Sequence, residues 1–401
     1  MSIRWQLWTQ GVLAVWVFTL AACDQRAPAG VDGAVSAVSE QDAGAAPHCT
    51  DASPACPDGG AGLGACSDCD ASRPPQTPRL ARAALSWEAI PVEGALCRDG
   101  EPALFRVNEN PASDKLAIYL EQGGACLADA CLTFHVDSPP VEGVFDRAAT
   151  NNPFGDWNQV YVPYCTGDLH AGDRRDLEID GAPQQFVGYR NLGLFLERIV
   201  PAFRGVRQVV LMGSSAGGFG TLFNYPRVHD AFAPIAVAFL DDSGPLSGDS
   251  VISACMQRRM LQSWALDTTI LPLCAGDCPD PDHWALDWLR HLVRTYPDAR
   301  GGVYSSDDDA SNRLFFGVGL AQCAEPKSGA QLPADVFARG LREIRSVLSD
   351  ASNMGSYFAR GDQHMCFNSR CFYGAGAEDV PVADWAAGIV AGDARHIGLA
   401  P

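Results

Sequence analysis

Short apolar runs, each bounded by turn residues, recur from residue 116 to residue 359. Each run is almost continuously hydrophobic, a pattern typical of strands that are covered on both faces of a sheet. The runs are 116–120, 159–162, 208–212, 235–240, 302–304 and 356–359.

Helical patterns follow several of these runs. Apolar residues recur at intervals of three and four in 284–293 and 336–348, and 382–390 predicts a closing helix. Strands that alternate with helices form βαβ units, whose strands are parallel. The sequence therefore predicts an α/β fold with a mostly parallel central sheet flanked by helices.

Composition excludes several classes of function. The chain of 401 residues carries 48 acidic and 29 basic side chains, a formal net charge of −19. A nucleic-acid-binding surface needs the opposite sign, so we expect no nucleic-acid partner. With 47% hydrophobic residues the chain is not a disordered tail protein. Its fifteen cysteines indicate an oxidising compartment.

Residues 1–22 predict a signal peptide. Arg4 precedes the apolar run 11–20, and a run of about ten residues is too short to span a bilayer. The run ends in Leu20-Ala-Ala-Cys23, which resembles the lipobox of bacterial lipoproteins. The resemblance implies that Cys23 is acylated and anchors the protein in the bacterial cell envelope, at the outer membrane or facing the periplasm. The alternative is an ordinary secretory signal with an incidental cysteine.

Residues 23–80 predict a flexible, low-complexity tether. No Phe, Tyr or Trp occurs from residue 24 to residue 79, so this segment cannot bury enough apolar surface to offset its ordering entropy. Four cysteines interrupt it, and we expect them to form two small disulfide loops: Cys49, Cys56, Cys66 and Cys69. The remaining residues, 81–401, are long enough for one large domain with a sizeable core.

A candidate nucleophile follows the run 208–212. The segment Gly213-Ser214-Ser215-Ala216-Gly217 has the pattern Gly-x-Ser-x-Gly. At a sharp strand-to-helix turn, flanking glycines remove the Cβ atoms that would clash and the serine is presented at the edge of the sheet. The alternative is a Gly/Ser-rich loop that simply closes a βαβ unit.

An acid and a histidine follow later strands in the order that an α/β-hydrolase triad requires. Asp307, Asp308 and Asp309 come after the run 302–304, and His364 comes after the run 356–359. Other histidines fit this order less well and are expected to be surface or core residues: His135, His170, His229, His283, His291 and His396.

An early glycine pair offers a second part of an oxyanion hole, which needs backbone N–H groups. Gly123 and Gly124 directly follow the run 116–120. A glycine pair is also found in simple turns, which is the alternative here.

Together these motifs resemble the pectin acetylesterase (Notum-like) family. The matching stretches are 96–100, 119–126 with Cys131, 160–168, 213–218, Asp309 and 362–364. The resemblance implies an α/β-hydrolase-like fold with Ser215 as nucleophile, His364 as base and an aspartate as its partner. It also implies an oxyanion hole built from Gly123, Gly124 and Ala216.

The resemblance favours Asp309 as the acid, because the family's aspartate opens a helix, and Asp308 is the alternative. Three adjacent carboxylates repel one another, so one is expected to be buried beside the imidazole. The chain departs from many relatives at Ala125, where they have Trp, and this departure puts the acyl-chain preference in doubt.

The resemblance also implies disulfide bonds that brace the domain. It suggests the pairs Cys97–Cys165 and Cys126–Cys131, and by the same logic Cys366–Cys371 would brace the loop after His364. The pairing of four further cysteines stays open: Cys255, Cys274, Cys278 and Cys323.

These observations predict a secreted, lipid-anchored serine hydrolase. We expect a monomer that cleaves O-acyl esters, acetyl esters in particular, through an acyl-enzyme on Ser215, with an acetylated polysaccharide as candidate substrate. No metal or cofactor is expected. The alternatives are a catalytically silent hydrolase-fold surface binding lipoprotein and a serine peptidase or amidase.

Overall fold

The computed structural model of the protein describes residues 85–127, 130–135, 138–320, 322–323, 330–374 and 376–399. Three predictions lie outside these residues: the signal peptide, the tether with its four cysteines, and lipidation at Cys23. Over the described part of the chain, no helix has the length and apolar character needed to cross a membrane.

A nine-stranded sheet forms the centre of the described domain. In chain order the strands are β1 (Trp87–Leu96), β2 (Pro102–Asn108), β3 (Lys115–Leu120), β4 (Gly124–Leu127), β5 (Ala130–Thr133), β6 (Asn158–Val162), β7 (Arg174–Ile179), β8 (Ala182–Phe186), β9 (Gln208–Ser214), β10 (Ala236–Asp242), β11 (Arg300–Ser306), β12 (Met354–Ala359) and β13 (His396–Ile397). The order across the sheet is β1-β2-β6-β3-β9-β10-β11-β12-β13. All strands from β6 to β13 in this order pair in parallel.

Helices cover both faces of this sheet. They are α1 (Gly188–Ala202), α2 (Ala216–Phe232), α3 (Ala254–Trp264), α4 (Leu271–Cys274), α5 (Ala285–Thr295), α6 (Ala310–Gly317), α7 (Ala334–Leu348) and α8 (Val382–Ala391). Leu116 and Ile118 of β3 pack in the core beneath α1 and α2, whereas Ala117 and Tyr119 belong to the opposite core with Trp385 of α8. Because successive strand residues point to opposite faces, the near-continuous apolar runs are buried on both sides. The predicted mostly parallel, helix-flanked sheet is confirmed.

The sheet also has an antiparallel edge that the apolar runs did not predict. β1 pairs antiparallel with β2, and β2 pairs antiparallel with β6. β1 alternates buried and exposed positions and contains Pro91, as expected for an edge strand with one solvated face. Two separate hairpins, β4–β5 and β7–β8, lie outside the main sheet.

Five disulfide pairs brace the described domain. Three are the pairs suggested by the family resemblance and its logic: Cys97–Cys165, Cys126–Cys131 and Cys366–Cys371. For the four cysteines left open, the structure pairs Cys255 with Cys323 and Cys274 with Cys278. Disulfides are favoured in secreted proteins, and this number fits the oxidising compartment that the cysteine content indicates.

The loop after β6 carries a buried carboxyl group that supports the start of α1. Asp168 has no exposed surface, and its Oδ2 accepts hydrogen bonds from the backbone N–H of Gly188 at 2.7 Å and of Gly172 at 3.2 Å. Two residues later, the buried His170 donates from Nε2 to the carbonyl oxygen of Glu121 at 2.9 Å. This loop therefore supports the chain just before the Gly123-Gly124 pair.

The pH dependence of stability tests this burial. Burial raises the pKa of Asp168 to about 6, so the folded protein holds its proton more tightly than the unfolded chain. The contribution of this group to the free energy of unfolding is full below about pH 4, which is roughly its pKa in the unfolded chain, and it is lost as the pH rises through about 6. The shift in pKa corresponds to a change of about 3 kcal/mol in the free energy of unfolding. We expect Asp168→Asn to cost more unfolding free energy at pH 4 than at pH 7, measured by urea unfolding of both proteins. An equal cost at every pH would contradict this account.

Candidate active site

Ser215 lies at a strained turn between β9 and α2. β9 ends at Ser214 and α2 begins at Ala216, and Ser215 between them has φ 52° and ψ −117°. A positive φ is costly for a residue with a Cβ and is held only where the surroundings enforce it. Here the Ser215 N–H donates to the carbonyl oxygen of Asp242 at 2.7 Å, and the Ser215 carbonyl accepts from the N–H of Phe219 at 3.1 Å.

The glycines beside Ser215 are required by close packing. A Cβ atom on Gly217 would lie 1.9 Å from the carbonyl oxygen of Leu120, and one on Gly213 would lie 2.3 Å from the carbonyl oxygen of Gly217. No side chain fits at either distance. The turn therefore sits directly against the end of β3, and Ser215 has the conformation of a nucleophile elbow.

Three side chains far apart in the sequence form a continuous hydrogen-bonded relay. The Nε2 atom of His364 lies 2.9 Å from Oγ of Ser215. Its Nδ1 atom lies 2.8 Å from Oδ2 and 3.0 Å from Oδ1 of Asp309. A carboxylate only accepts, so it favours the tautomer with the proton on Nδ1. Nε2 is then free to accept the hydroxyl proton of Ser215, which is the geometry of a serine nucleophile with its base.

The carboxylate of Asp309 is fully buried and held at the start of α6. Its Oδ1 accepts from the backbone N–H of Asn312 at 2.9 Å, which makes it the helix N-cap. Its Oδ2 accepts from the side-chain amide of Asn312 at 3.0 Å. The side chain of His364, by contrast, is 17% exposed, so the relay runs from solvent to the interior.

The neighbouring acids have other partners. The Asp308 carboxylate pairs with the Arg313 guanidinium, and its side chain is 45% exposed. Asp307 accepts from the N–H of Gly361 at 3.0 Å. The structure therefore brings Asp309, and not the alternative Asp308, against His364.

The oxyanion candidates lie at the same edge of the sheet. Leu120 at the end of β3 pairs with Gly213 of β9, so the Gly123-Gly124 segment follows β3 beside the elbow. A Cβ on Gly123 would lie 2.4 Å from the ring of Tyr164, and Gly124 has φ 76°, so both positions favour glycine. Ala216 is the first residue of α2, where backbone N–H groups lack partners within the helix.

One family model matches the part of the chain that contains the elbow. Residues 86–258 match the model of the family described as pectinacetylesterase. This segment of 173 residues is therefore similar to the pectinacetylesterase family. Notum from Drosophila melanogaster, a palmitoleoyl-protein carboxylesterase, is 26% identical over 208 residues, which are 44% of this chain and 30% of that protein. Human Notum is 29% identical over 173 residues, which are 37% of this chain and 34% of that protein. The match thus spans about a third of the length of these curated relatives.

Solved structures show the same fold. The Wnt deacylase Notum from Drosophila, in crystal form II, superposes with a TM-score of 0.57 at 20% identity over 76% of this chain and 93% of that chain. Crystal form I of the same protein superposes with a TM-score of 0.54. This likeness confirms the predicted α/β-hydrolase-like fold.

The pectinacetylesterase match contains only part of the relay. Ser215 and the oxyanion candidates lie inside residues 86–258, whereas Asp309 and His364 lie beyond that range. The fold, and not the family match, brings these last two residues to the elbow. In the described part of the chain, no three His, Cys, Asp or Glu side chains are grouped so that they could hold a metal ion.

Sequence reasoning missed several polar residues around the relay. Asn312 contacts Asp309, and Asp242 and Ser243 contact the loop after His364. One signal was present in the sequence, because the apolar run 235–240 is followed at once by two acids and a serine. Acidic side chains at the end of a buried strand lose their hydration and therefore need hydrogen-bond donors as partners.

The two neighbouring aspartates provide a matched test of the relay. We expect Asp309→Asn to slow labelling of Ser215 by a fluorophosphonate about 10³-fold or more, because the imidazole loses its tautomer and orientation. Asp308→Asn removes only a partly exposed ion pair and should change the rate by less than about threefold. Equal losses in the two variants would contradict the assignment of Asp309.

Proposed function

We propose that this protein is a serine carboxylic ester hydrolase that works through an acyl-enzyme on Ser215. The observation that carries the proposal is the relay Ser215–His364–Asp309, with distances of 2.9 and 2.8 Å between successive side chains. The match of residues 86–258 to the pectinacetylesterase family and the similarity to named carboxylesterases support the same reaction class.

The first half of the reaction acylates the enzyme. His364 Nε2 takes the hydroxyl proton of Ser215 while Oγ attacks the ester carbonyl carbon. The oxyanion of the tetrahedral intermediate would be stabilised by backbone N–H groups of the Gly123-Gly124 segment and of Ala216. The intermediate collapses as the C–O bond breaks, and His364 returns the proton to the leaving alcohol.

The second half releases the acid. Water attacks the acyl-enzyme as its proton passes to His364 Nε2, and the new tetrahedral intermediate expels Oγ of Ser215, which regains the proton. Asp309 keeps its negative charge throughout and stabilises the imidazolium that forms twice in each cycle. Its complete burial increases this electrostatic effect, because water does not screen the pair.

We further propose that the substrates are O-acyl esters, acetyl esters in particular, on a polysaccharide. The family description supports an acetyl group, whereas the Notum relatives are named for a palmitoleoyl group on a protein. Ala125, the departure from the family pattern, is buried in β4. A series of p-nitrophenyl esters of increasing chain length, followed by acetylated glycans and peptides, separates these possibilities.

Serine labelling tests the reaction class. Wild type should react once with a fluorophosphonate and hydrolyse p-nitrophenyl acetate, and Ser215→Ala should lose both activities, with at least about 10⁴-fold lower kcat. Ser349→Ala removes an exposed hydroxyl that donates to the backbone carbonyl oxygen of Arg345 at the end of α7; this variant serves as control and should behave as wild type. A folded wild type that is not labelled would favour a silent binding protein. Faster cleavage of peptides than of esters would favour an amidase.

We also propose that the protein is exported and anchored by lipid at Cys23. The apolar run 11–20 and the sequence Leu20-Ala-Ala-Cys23 support this, and the disulfide pairs of the described domain agree with export. In a bacterial host, radioactive palmitate should label wild type and Cys49→Ala but not Cys23→Ala. Release of an unlabelled wild type into the soluble fraction would indicate an ordinary secretory signal.

A further inference from the structure

Two residues at the end of β10, Asp242 and Ser243, form hydrogen bonds with Ser215, with the segment after His364 and with Asn312, which contacts Asp309. We propose that Asp242 and Ser243 are positioning residues that hold the base loop, defined here as residues 362–367, against the nucleophile elbow. This inference rests on the proposed function, because the groups it positions are those proposed to act on the ester.

The first set of contacts reaches the base loop. The carboxylate of Asp242 accepts from the backbone N–H of Cys366 at 2.9 Å and of Phe367 at 2.9 Å. The hydroxyl oxygen of Ser243 accepts from the N–H of Met365 at 3.1 Å. Three successive N–H groups directly after His364 therefore point to this pair of side chains.

The second set reaches the elbow. The carbonyl oxygen of Asp242 accepts from the N–H of Ser215, and its carboxylate accepts from the hydroxyl of Ser214 at 2.5 Å. The hydroxyl of Tyr119 donates in turn to Ser214 at 2.7 Å. Asp242 is thus hydrogen-bonded both to the elbow, which carries Ser215, and to the base loop, which carries His364.

The third contact reaches the acid. The side-chain amide of Asn312 donates to the carbonyl oxygen of Ser243 at 3.0 Å and also to Asp309 at 3.0 Å. The disulfide Cys366–Cys371 closes only a short segment onto itself and does not join it to β10. The position of the base loop relative to the elbow therefore depends on hydrogen bonds, with Asp242 and Ser243 supplying three.

The charge of Asp242 matters because all its partners donate. Its carboxylate accepts from two hydroxyls and two backbone N–H groups, a set that fits the ionised form. The adjacent Asp241 is equally buried but accepts only from the N–H of Gly244, and its Oδ2 has no hydrogen-bond partner among the described residues. Burial raises the pKa of both carboxyl groups, but hydrogen bonds to the charged form favour ionisation, and four donors face Asp242 whereas one faces Asp241.

This contrast supplies a matched pair of variants. Asp242→Asn keeps the shape but turns an amide NH2 group toward donors, so the base loop loses part of its support. We expect kcat for p-nitrophenyl acetate to fall about 100-fold, with KM within about threefold of wild type, since a small displacement of the base slows chemistry more than binding. Asp241→Asn keeps an oxygen that can accept from the N–H of Gly244, and no donor faces the other side-chain oxygen, so both constants should stay within about threefold. Ser243→Ala, which removes one hydrogen bond, should lower kcat by about tenfold.

Hydrogen exchange measures the positioning without any substrate. In Asp242→Asn the amides of Cys366 and Phe367 should exchange at least about tenfold faster than in wild type, and in Ser243→Ala the amide of Met365 should do so. Asp241→Asn should not change them. Because this readout needs no reaction, an inactive wild type would refute the proposed function while leaving the exchange result to decide the inference.

Two results would overturn the inference. The first is an Asp242→Asn variant whose kcat and amide exchange rates equal those of wild type. The second is a fall in kcat in Asp241→Asn as large as that in Asp242→Asn, which would indicate a general effect of altering a buried carboxyl group. If Asp242→Asn does not fold, Ser243→Ala decides, because an unchanged kcat with unchanged exchange of Met365 would equally refute it.

Discussion

Every part of the candidate site depends on the parallel register of five adjacent strands. β3 pairs Leu120 with Gly213 of β9, and β9 pairs Ser214 with Asp242 of β10. On the far side, β11 pairs Ser306 with Ala359 of β12. Parallel strands end at one edge of the sheet, so the segments that follow them meet there. The glycine segment, the elbow, the acid turn and the base loop are those segments.

Several buried carboxyl groups lie at the same edge of the sheet, and they differ in the number of hydrogen bonds that they accept. Asp309 and Asp242 accept several hydrogen bonds each, which compensates for the loss of hydration. Asp241 accepts one hydrogen bond, and burial raises its pKa well above the usual range. Adjacent buried carboxyl groups therefore differ in how fully hydrogen bonds compensate for their burial.

The sequence predicted the central parallel strands because each of them is a local, almost continuous apolar run. The apolar runs of β3, β9 and β10 are buried on both faces, which removes the alternation of an edge strand. β1 and β2 at the antiparallel edge were missed, because partly exposed strands with polar residues give a weaker signal. The assignment of roles to Ser215 and His364 stays a prediction until variants are measured.

The sequence by itself determined the α/β class, the Gly-x-Ser-x-Gly motif and the chain order of the candidate serine, aspartate and histidine, since each depends on local periodicity or spacing. The tertiary structure alone decided which of three adjacent aspartates meets His364, because Asp309 caps α6 facing inward while Asp308 pairs with Arg313. It also decided the partners of Cys255 and Cys274. Contacts between residues distant in the sequence depend on strand register and loop packing, which no local pattern specifies.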